Sequence, residues 1–408
     1  MKKLALALIL GLGIFTLAAC DGIDDSETAQ GVTEDTIYVG NSAAVSGALA
    51  FVGQPFNDAL VAYLDMVNDQ GGVNGRQIEW VHYDDEFDPA QGQQYAERLV
   101  EDDEIFSFVG HFGTPTVGAT FDYLNNVGIP RVYYATGTTV TYDENATDGA
   151  RASFPVQPMY NLEGRILMSR AIGDYEADTV GVIYSNADDG AGLLEGIEEV
   201  ADREGIELVS QQVNPDASDM SSQANSVVDA NPDVVIVAAN QQPAETAITA
   251  LYDAGNEADV LTTYVNAAES MIENLETEVS SEQFDLFASQ WVNLFDEEGE
   301  PLPGYQEFLD NVDDDLGANT YAITGWIAAS FFVEGLERVG DDPLTWDNFI
   351  EAMESEPVDN PMGAAIDYSD GQRLGTASLA LVRATVPDED TYLWEEYDGF
   401  RSEDELLD

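Results

Sequence analysis

The sequence predicts an α/β protein of two lobes, each a parallel β-sheet covered on both faces by helices. Strand-like runs alternate with amphipathic helical stripes along most of the chain, a pattern typical of parallel sheets with helical crossovers. The alternation then restarts, so that strands beginning at residues 78, 105 and 129 are matched by strands beginning at 206, 234 and 260. A chain of 408 residues is long enough for two such domains.

The first block comprises four strands joined by three helices. Residues 55–68 carry apolar side chains at the i, i+3, i+4, i+7 spacing of an amphipathic helix, which the glycines of residues 71–75 break. Asp88 followed by Pro89 has the composition of an N-cap and a first helical position, and this helix runs to residue 101. A third helix covers 115–126. Strands are expected at residues 36–45, 78–83, 105–110 and 129–134.

The second block repeats this layout, and the rhythm loosens after residue 265. Its strands are expected at residues 179–184, 206–212, 234–239 and 260–265. Its helices are expected at residues 190–204, 220–230 and 243–254. Helices at 305–312, 321–339 and 346–353 and strands at 364–368 and 378–384 complete the chain, with Asp370-Gly371 as a hairpin turn between the last two strands.

The first nineteen residues have the features of an export signal. Lys2-Lys3 precedes an apolar run over residues 4–17, which ends in small residues. The run is shorter than a typical membrane span, although an N-terminal anchor helix is the alternative. Leu17-Ala18-Ala19-Cys20 resembles a bacterial lipobox, which implies cleavage before Cys20 and a lipid on its thiol. Residues 20–33 would then form an acidic tether. Cys20 is the only cysteine, so an internal disulfide is impossible.

The chain is strongly acidic. Removal of the signal, which holds both lysines and no acid, takes the formal charge from −66 to −68 and leaves arginine as the only basic side chain. Nucleic acid is therefore excluded as a partner, and a membrane can be contacted only through the lipid. Uniform acidity in an exported protein indicates a salty or an alkaline medium, because salt screens self-repulsion.

A turn at SFVGHFGTPT, residues 107–116, is a candidate anion site. A Walker loop needs a lysine that the mature chain lacks, and the glycines have the wrong spacing for a dinucleotide fingerprint. With Thr114 as N-cap, Pro115 in the first turn and Thr116 offering an N–H and an O–H, the helix N-terminus suits a carboxylate. The alternative is that Thr114 only caps its own helix.

Other small hydroxyl residues follow parallel strands and therefore lie at the same sheet edge. Ser46 ends the first strand, and Thr136 and Thr138 follow the fourth. Several hydroxyls converging on one edge are consistent with a carboxylate-binding pocket.

Catalytic and metal-binding sets are absent from the sequence. His82 and His111 are far apart and have no cysteine partner, and no G-x-S-x-G elbow occurs. His111 could contact a ligand or pack beside the loop. The acids of residues 84–88 lack EF-hand spacing, and a solvated turn with Asp88 as a cap is favoured over a calcium site. We expect no enzyme activity, no cofactor and no metal.

An ordered set of short motifs resembles one family. They are Ala44-Val45-Ser46-Gly47, then Gly53, then Asn68-Asp69-Gln70-Gly71-Gly72-Val73-Asn74-Gly75-Arg76, then Asp84-Asp85, and Gly110 before the threonines. The mature chain is similar over nearly its whole length to type I periplasmic solute-binding proteins of the branched-chain amino acid (Leu/Ile/Val-binding) ABC transporter family. The resemblance implies two Rossmann-like lobes joined by a three-strand hinge, with lobe 1 at 34–153 plus 292–361 and lobe 2 at 154–291 plus 362–400.

The resemblance also implies a site. Thr114 with Thr136 or Thr138 would hold a ligand carboxylate, and Ser46, Phe51 and Val52 would lie at the cleft rim. Asp189, Gln241 and Asn266 would contribute from the second lobe. Two positions depart from the family pattern. No acid stands at residues 264–266, where amino-acid binders hold the ligand ammonium, and Gln241 replaces a common aromatic. Asp188 or Asp189 is the candidate replacement acid, or a helix cap.

The function implied is a lipid-anchored extracytoplasmic receptor. It would bind a small carboxylate or an amino acid of the branched-chain type between its lobes and deliver it to an ABC permease. The alternative is a ligand-sensing domain that partners a signalling protein, since related bilobal folds also report ligands.

Overall fold

The computed structural model describes residues 28–281, 283–296, 299–388 and 391–407. The predicted signal peptide, Cys20 and most of the predicted tether lie outside these residues. Within the described part of the chain, no helix combines the length and apolarity needed to span a bilayer.

The first sheet has five parallel strands in the order β2-β1-β3-β4-β5. Its strands are β1 Thr36–Ala43, β2 Gln77–Asp84, β3 Ser107–Phe112, β4 Arg131–Ala135 and β5 Ser153–Phe154. The helices between them are α1 Ala50–Asp69, α2 Pro89–Glu101 and α3 Thr114–Val127. The predicted cap of α2 is confirmed, because the Asp88 carboxylate accepts the N–H groups of Ala90 and Gln91.

The second block forms a separate sheet, whose order is β12-β11-β10-β9-β8-β6-β7. Strands β6 to β10 are parallel, as predicted for this lobe. In chain order the elements are α4 Tyr160–Tyr175, β6 Thr179–Ser185, α5 Asp188–Glu204, β7 Glu207–Val213, α6 Ser221–Val228, β8 Val234–Ala238, α7 Gln242–Asp253, β9 Val260–Thr262, α8 Glu269–Asn274, α9 Glu276–Val279 and β10 Leu286–Gln290.

The last third of the chain serves both lobes. Helices α10 Pro303–Asn311, α11 Thr320–Val339 and α12 Trp346–Glu354 return to the first lobe, where α11 packs on α1. That packing requires Gly325, because a Cβ there would lie 1.9 Å from the carbonyl oxygen of Phe56. Strands β11 Leu379–Thr385 and β12 Leu393–Arg401, both antiparallel to their neighbours, and helix α13 Glu403–Leu407 complete the second lobe.

The chain crosses between the two sheets three times, at about residues 155–159, 291–302 and 355–378. The crossings are tied to one another by backbone hydrogen bonds, from the Thr376 N–H to the Val156 carbonyl at 2.9 Å and from the Asn293 N–H to the Met362 carbonyl at 2.7 Å. The predicted two-lobed α/β fold with parallel sheets is confirmed. The residue limits given above for each lobe stay a prediction.

Three local predictions are wrong. The strand expected at 260–265 ends at Thr262, because Tyr264–Asn266 forms a 3₁₀ turn capped by the Thr263 side chain. Residues 364–368 form no strand; Ile366 makes a single bridge to Val358. The expected hairpin turn at Asp370-Gly371 is a 3₁₀ turn with Asp370 at φ 55°.

Sequence analysis also missed α4, β10 and β12. Helix α4 has no continuous polar face, because three of its polar residues, Glu163, Ser169 and Arg170, are buried along with its apolar ones. The periodicity that identified the other helices is therefore missing from it.

Candidate ligand-binding cleft

A cleft of about 900 Å³ lies between the two lobes at the carboxyl ends of the parallel strands. This is where open α/β sheets bind ligands. Its aromatic lining consists of Phe51, Phe56, Phe87, Phe112, Tyr160, Tyr264, Trp291 and Tyr321. Its acidic lining consists of Asp188, Asp189, Asp216 and Glu245. Among the described residues, no lysine, arginine or histidine lines it.

The hydroxyl site of the first lobe is built at the start of α3. Gly113, at φ 89°, is the N-cap, so the prediction that Thr114 caps this helix is wrong; Thr114 is its first residue. Its hydroxyl does not cap the helix, and its Oγ1 lies 2.8 Å from Oγ1 of Thr136. The first intrahelical bond runs from the Val117 N–H to the Gly113 carbonyl. The amides of Thr114 and Thr116 precede it and belong to the unsatisfied donors of a helix N-terminus.

The Thr116 hydroxyl has a different role from the one expected. It donates to Oδ2 of Asp85 at 3.2 Å, so only the Thr116 amide is left for a ligand. Asp85 is fully buried and also accepts the N–H of Phe87 at 2.9 Å. Phe87 has φ 65°, and its ring covers Gly113, where a Cβ would lie 2.8 Å from it. Asp85 therefore shapes the loop beside Thr114.

A calcium site at residues 84–88 finds no support in this geometry. Asp84 accepts the Val45 and Glu86 amides, and Asp88 caps α2. In the described ranges, no group of three or more potential ligating side chains is positioned to hold a metal ion. His111 lies in the core, where its Nε2 is 2.8 Å from the Thr120 hydroxyl and burial lowers its pKa to about 3.

Tyr160, at the start of α4, joins the two sides of the cleft. Its phenol lies close to the Thr114 and Thr136 side chains, and it accepts a hydrogen bond from the Asn240 amide at 3.3 Å. Burial, and then the charge of Asp189, raises the pKa of Tyr160 to about 12. Tyr160 is thus close both to the hydroxyl residues of the first lobe and to Asp189.

Asp189 is a half-buried acid of the second lobe, at the start of α5. Burial raises its pKa, against hydrogen bonds from the backbone of Gly190, Asp189 itself and Asn240. Its neighbour Asp188 is exposed. A partly desolvated carboxylate facing a cleft gains most from a cationic partner.

Asn266 and Gln241 form one unit. The Asn266 amide donates to the Ala239 carbonyl and the Thr262 hydroxyl, and its oxygen accepts the Gln241 N–H at 2.6 Å. Asn266 is therefore saturated and holds Gln241 in an unusual backbone conformation at φ 56°, ψ −129°. The Gln241 side chain lies close to the phenol of Tyr321 on α11, which donates to the Val265 carbonyl at 3.4 Å.

The remaining predicted residues divide between the rim and the surroundings. Val52 is buried and lines the cleft, and Phe51 is half exposed with its ring edge-on to Tyr321 at 6.1 Å. Ser46, Thr136 and Thr138 are not among the lining residues. The Ser46 side chain lies close to Asp84, and Thr136 and Thr138 are buried behind Thr114, with the Thr138 N–H donating to the Thr136 hydroxyl.

Sequence reasoning missed much of the aromatic wall. Tyr160 begins α4 and Trp291 follows β10, two elements that were not predicted. Tyr321 lies in the first turn of α11, a predicted helix whose return to the cleft depends on the far end of the chain. A strand signal before Trp291 was present in the apolar residues of β10 and could have located it.

The positive charges are used elsewhere. Eight arginines form ion pairs in the described structure, at positions 151, 165, 170, 203, 338, 373, 383 and 401. An anionic group in the cleft would therefore have to be bound by amides and hydroxyls.

Comparison with known proteins identifies the chain's relatives. The family model described as periplasmic binding protein matches residues 36–390. The leucine-, isoleucine-, valine-, threonine- and alanine-binding protein of Pseudomonas aeruginosa is 25% identical over 43% of this chain and 45% of its own length. The leucine-specific-binding protein of Salmonella typhimurium is 34% identical over 26% of this chain and 29% of its own. The alignment thus spans less than half the length of each of these relatives.

Solved structures share the fold over almost the whole chain. The fatty acid ABC transporter substrate-binding protein from Thermomonospora curvata superposes with a TM-score of 0.73 at 20% identity, covering 94% of this chain and 97% of that one. A branched-chain amino acid ABC transporter protein from Thermus thermophilus with bound valine gives 0.74 at 16% identity, covering 90% and 98%.

Proposed function

Because the chain belongs to the periplasmic binding protein family, we propose that it is the extracytoplasmic solute-binding receptor of an ABC uptake transporter. The observation that carries the proposal is the interlobe cleft, in which hydroxyl and amide donors of one lobe face a half-buried carboxylate of the other. Catalysis has no part in it.

The ligand carboxylate binds at the start of α3. The Thr114 hydroxyl and the amides of Thr114 and Thr116 are its donors, with Thr136 next to Thr114. The positive end of the helix dipole adds to them. Thr136 is the partner of choice over Thr138, because its hydroxyl is the one that contacts Thr114.

The ligand also carries an ammonium group, which binds at Asp189. Four acids and no base line the cleft, so a bare carboxylate would enter a field of its own sign. An ammonium neutralises Asp189 and offsets the loss of the acid that the family has at residues 264–266. The aromatic wall suits an apolar side chain. An α-amino acid with an aliphatic side chain meets all three conditions, and the names of the curated relatives support that class.

The protein is anchored to the outer face of the cell membrane through a lipid on Cys20, and an ABC permease receives its ligand. The lipobox-like Leu17-Ala18-Ala19-Cys20 and the family's extracytoplasmic setting support this.

A thermal-shift comparison in high salt tests the ligand class. The probes are L-leucine, 4-methylpentanoate, which lacks the ammonium, and isopentylamine, which lacks the carboxylate. Ligands that bind the folded state raise the melting temperature by mass action. L-leucine is expected to stabilise the protein well above either half-ligand. An equal or larger shift with 4-methylpentanoate or a longer fatty acid would assign the cleft to carboxylates without an ammonium.

A further inference from the structure

Glu163 is a fully buried acid beneath the second-lobe wall of the cleft. It lies on α4 with none of its surface exposed. Its Oε1 accepts the Tyr264 N–H at 2.7 Å and the Ser289 hydroxyl, and the Thr263 side chain lies close to the carboxylate. Its Oε2 has no hydrogen-bond partner among the described residues. No ion pair of the described structure includes it.

The donors to Glu163 belong to the parts of the molecule that shape the cleft. Tyr264 begins the turn that lines the cleft, and its phenol donates to the Pro158 carbonyl and accepts from Gln157 in the first crossing. Ser289 stands just before the second crossing, in β10. One carboxylate therefore joins the cleft turn to two of the three connections between the lobes.

The same turn controls the strained backbone opposite the ligand. Asn266, its last residue, accepts the Gln241 N–H, and the Gln241 side chain lies close to Tyr321 of α11. A shift of the turn would move these contacts together.

A buried charge at this position lowers the stability of the fold. Burial raises the pKa of Glu163 from its ordinary 4.5 to about 7, even though three donors favour the ionised form. The folded protein therefore holds this proton more tightly than the unfolded chain does. Stability due to this group is fully present below about pH 4.5 and is lost as the pH rises through 7.

We propose that Glu163 is a positioning residue for ligand binding, whose carboxylate fixes the Tyr264–Asn266 turn in its binding geometry at the expense of fold stability. The expected effect on ligand affinity rests on the proposed function, whereas the expected effects on melting temperature and hydrogen exchange do not. A neutral residue of similar size would give a more stable protein with a looser cleft.

The other titratable groups around Glu163 are identifiable. The phenols of Tyr160, Tyr264 and, on β4, Tyr133 all have pKa values raised by burial, so they stay neutral at ordinary pH. Asp189 on α5 also has a raised pKa. Arg165, on α4 itself, is paired with Glu199 of α5 and Glu403 of α13. The contribution of Asp189 to the pH dependence of the melting temperature must therefore be distinguished from that of Glu163. For this purpose the pH series is repeated in an Asp189→Asn background.

The test compares Glu163→Gln with Glu278→Gln. Glutamine keeps the size of Glu163 and can keep an acceptor oxygen at the Oε1 position, to which both Tyr264 and Ser289 donate, so the substitution removes the charge and leaves both contacts geometrically possible. Glu278 is another buried acid of the same lobe; it accepts the Thr249 hydroxyl and is not among the residues lining the cleft. Three readouts are measured: melting temperature from pH 5 to 8, hydrogen exchange of the peptide containing residues 263–266, and calorimetric affinity for L-leucine.

Glu163→Gln is expected to melt higher than wild type at pH 8 and to lose most of the decline in melting temperature between pH 5 and 8. In Glu163→Gln the Tyr264 N–H and the Ser289 hydroxyl donate to a neutral oxygen, and such bonds are weaker than those to a carboxylate. The 263–266 segment should therefore exchange faster, and L-leucine affinity should fall about tenfold. Glu278→Gln should change neither exchange at 263–266 nor affinity. Ser289→Ala, which removes one donor and keeps the acid, should move the midpoint of the pH dependence upward.

A purely structural Glu163 would give the opposite pattern, with Glu163→Gln less stable at pH 8 and exchange at 263–266 and affinity both unchanged. That result would overturn the proposal. If Glu163→Gln does not fold, Ser289→Ala decides instead, and an unchanged midpoint in the pH dependence of its melting temperature would overturn the proposal. If wild type fails to bind L-leucine, the proposed ligand class is wrong, and exchange and the pH profile still decide the role of Glu163.

Discussion

Thr114→Val tests the carboxylate site with a nearly isosteric change. The Thr114 hydroxyl lies at the start of α3, 2.8 Å from the Thr136 hydroxyl, and faces the cleft. A hydrogen bond to a charged group is worth about 1.5–3 kcal/mol, so its removal should weaken L-leucine binding roughly tenfold to a hundredfold. Because Gly113 is the N-cap, no capping energy is lost. The Thr136 hydroxyl loses one neutral partner, which should lower stability by about 1 kcal/mol.

Thr138→Val is the matched control for this measurement. Thr138 is buried two residues beyond Thr136 but is not among the residues lining the cleft, so its loss should leave affinity within about twofold of wild type, less than the effect of one neutral hydrogen bond. Isothermal titration calorimetry in high salt measures both variants. Unchanged affinity in Thr114→Val, or an equal loss in Thr138→Val, would refute the assignment of the carboxylate to Thr114.

Three further predictions concern the anchor, the surface charge and the packing of the first lobe. Cys20→Ser, expressed in a bacterial host and fractionated, should leave the membrane fraction; unchanged partition would rule out the lipid anchor. Melting temperature should fall as salt is lowered from 1 M to 0.01 M, because the Debye length grows from roughly 3 Å to 30 Å and the net charge of −66 becomes less screened; a flat response would contradict this. Gly325→Ala should destabilise the protein by about 1–3 kcal/mol because α1 and α11 cannot keep their spacing, whereas Gly118→Ala, where a Cβ meets nothing within 4 Å, should be neutral or slightly stabilising in urea unfolding.

The fold was predictable wherever one face of an element is polar. Helix α2 follows from the Asp88-Pro89 start and its apolar stripe, and the parallel strands follow from apolar runs between such helices. Helix α4 was not predictable in this way, because its buried Glu163 and Arg170 are satisfied by residues distant in sequence. Long-range partners remove the periodic signal on which sequence reasoning depends.

The hydrogen-bond donors of the candidate site were more predictable from the sequence than the aromatic residues that line the cleft. A hydroxyl-bearing turn after β3 identified Thr114, but the positive φ of Gly113 shifted the cap by one residue, and Asp85 took the Thr116 hydroxyl. For Asn266, the position was predictable but the contacts were not. Its position near the cleft followed from the strand order, whereas its full set of bonds to Ala239, Gln241 and Thr262 depends on how the loops fold.

The most direct test of the account is a crystal structure of the protein grown with L-leucine. We expect the ligand between the lobes, with its carboxylate in hydrogen-bonding contact with the Thr114 hydroxyl and the Thr116 amide, its ammonium at Asp189 and its side chain against the aromatic wall. Leucine bound in the reverse orientation, or an ammonium that contacts another group while Asp189 faces solvent, would contradict the assignment of the two charged ends, and an unoccupied cleft at saturating L-leucine would contradict the proposed ligand class.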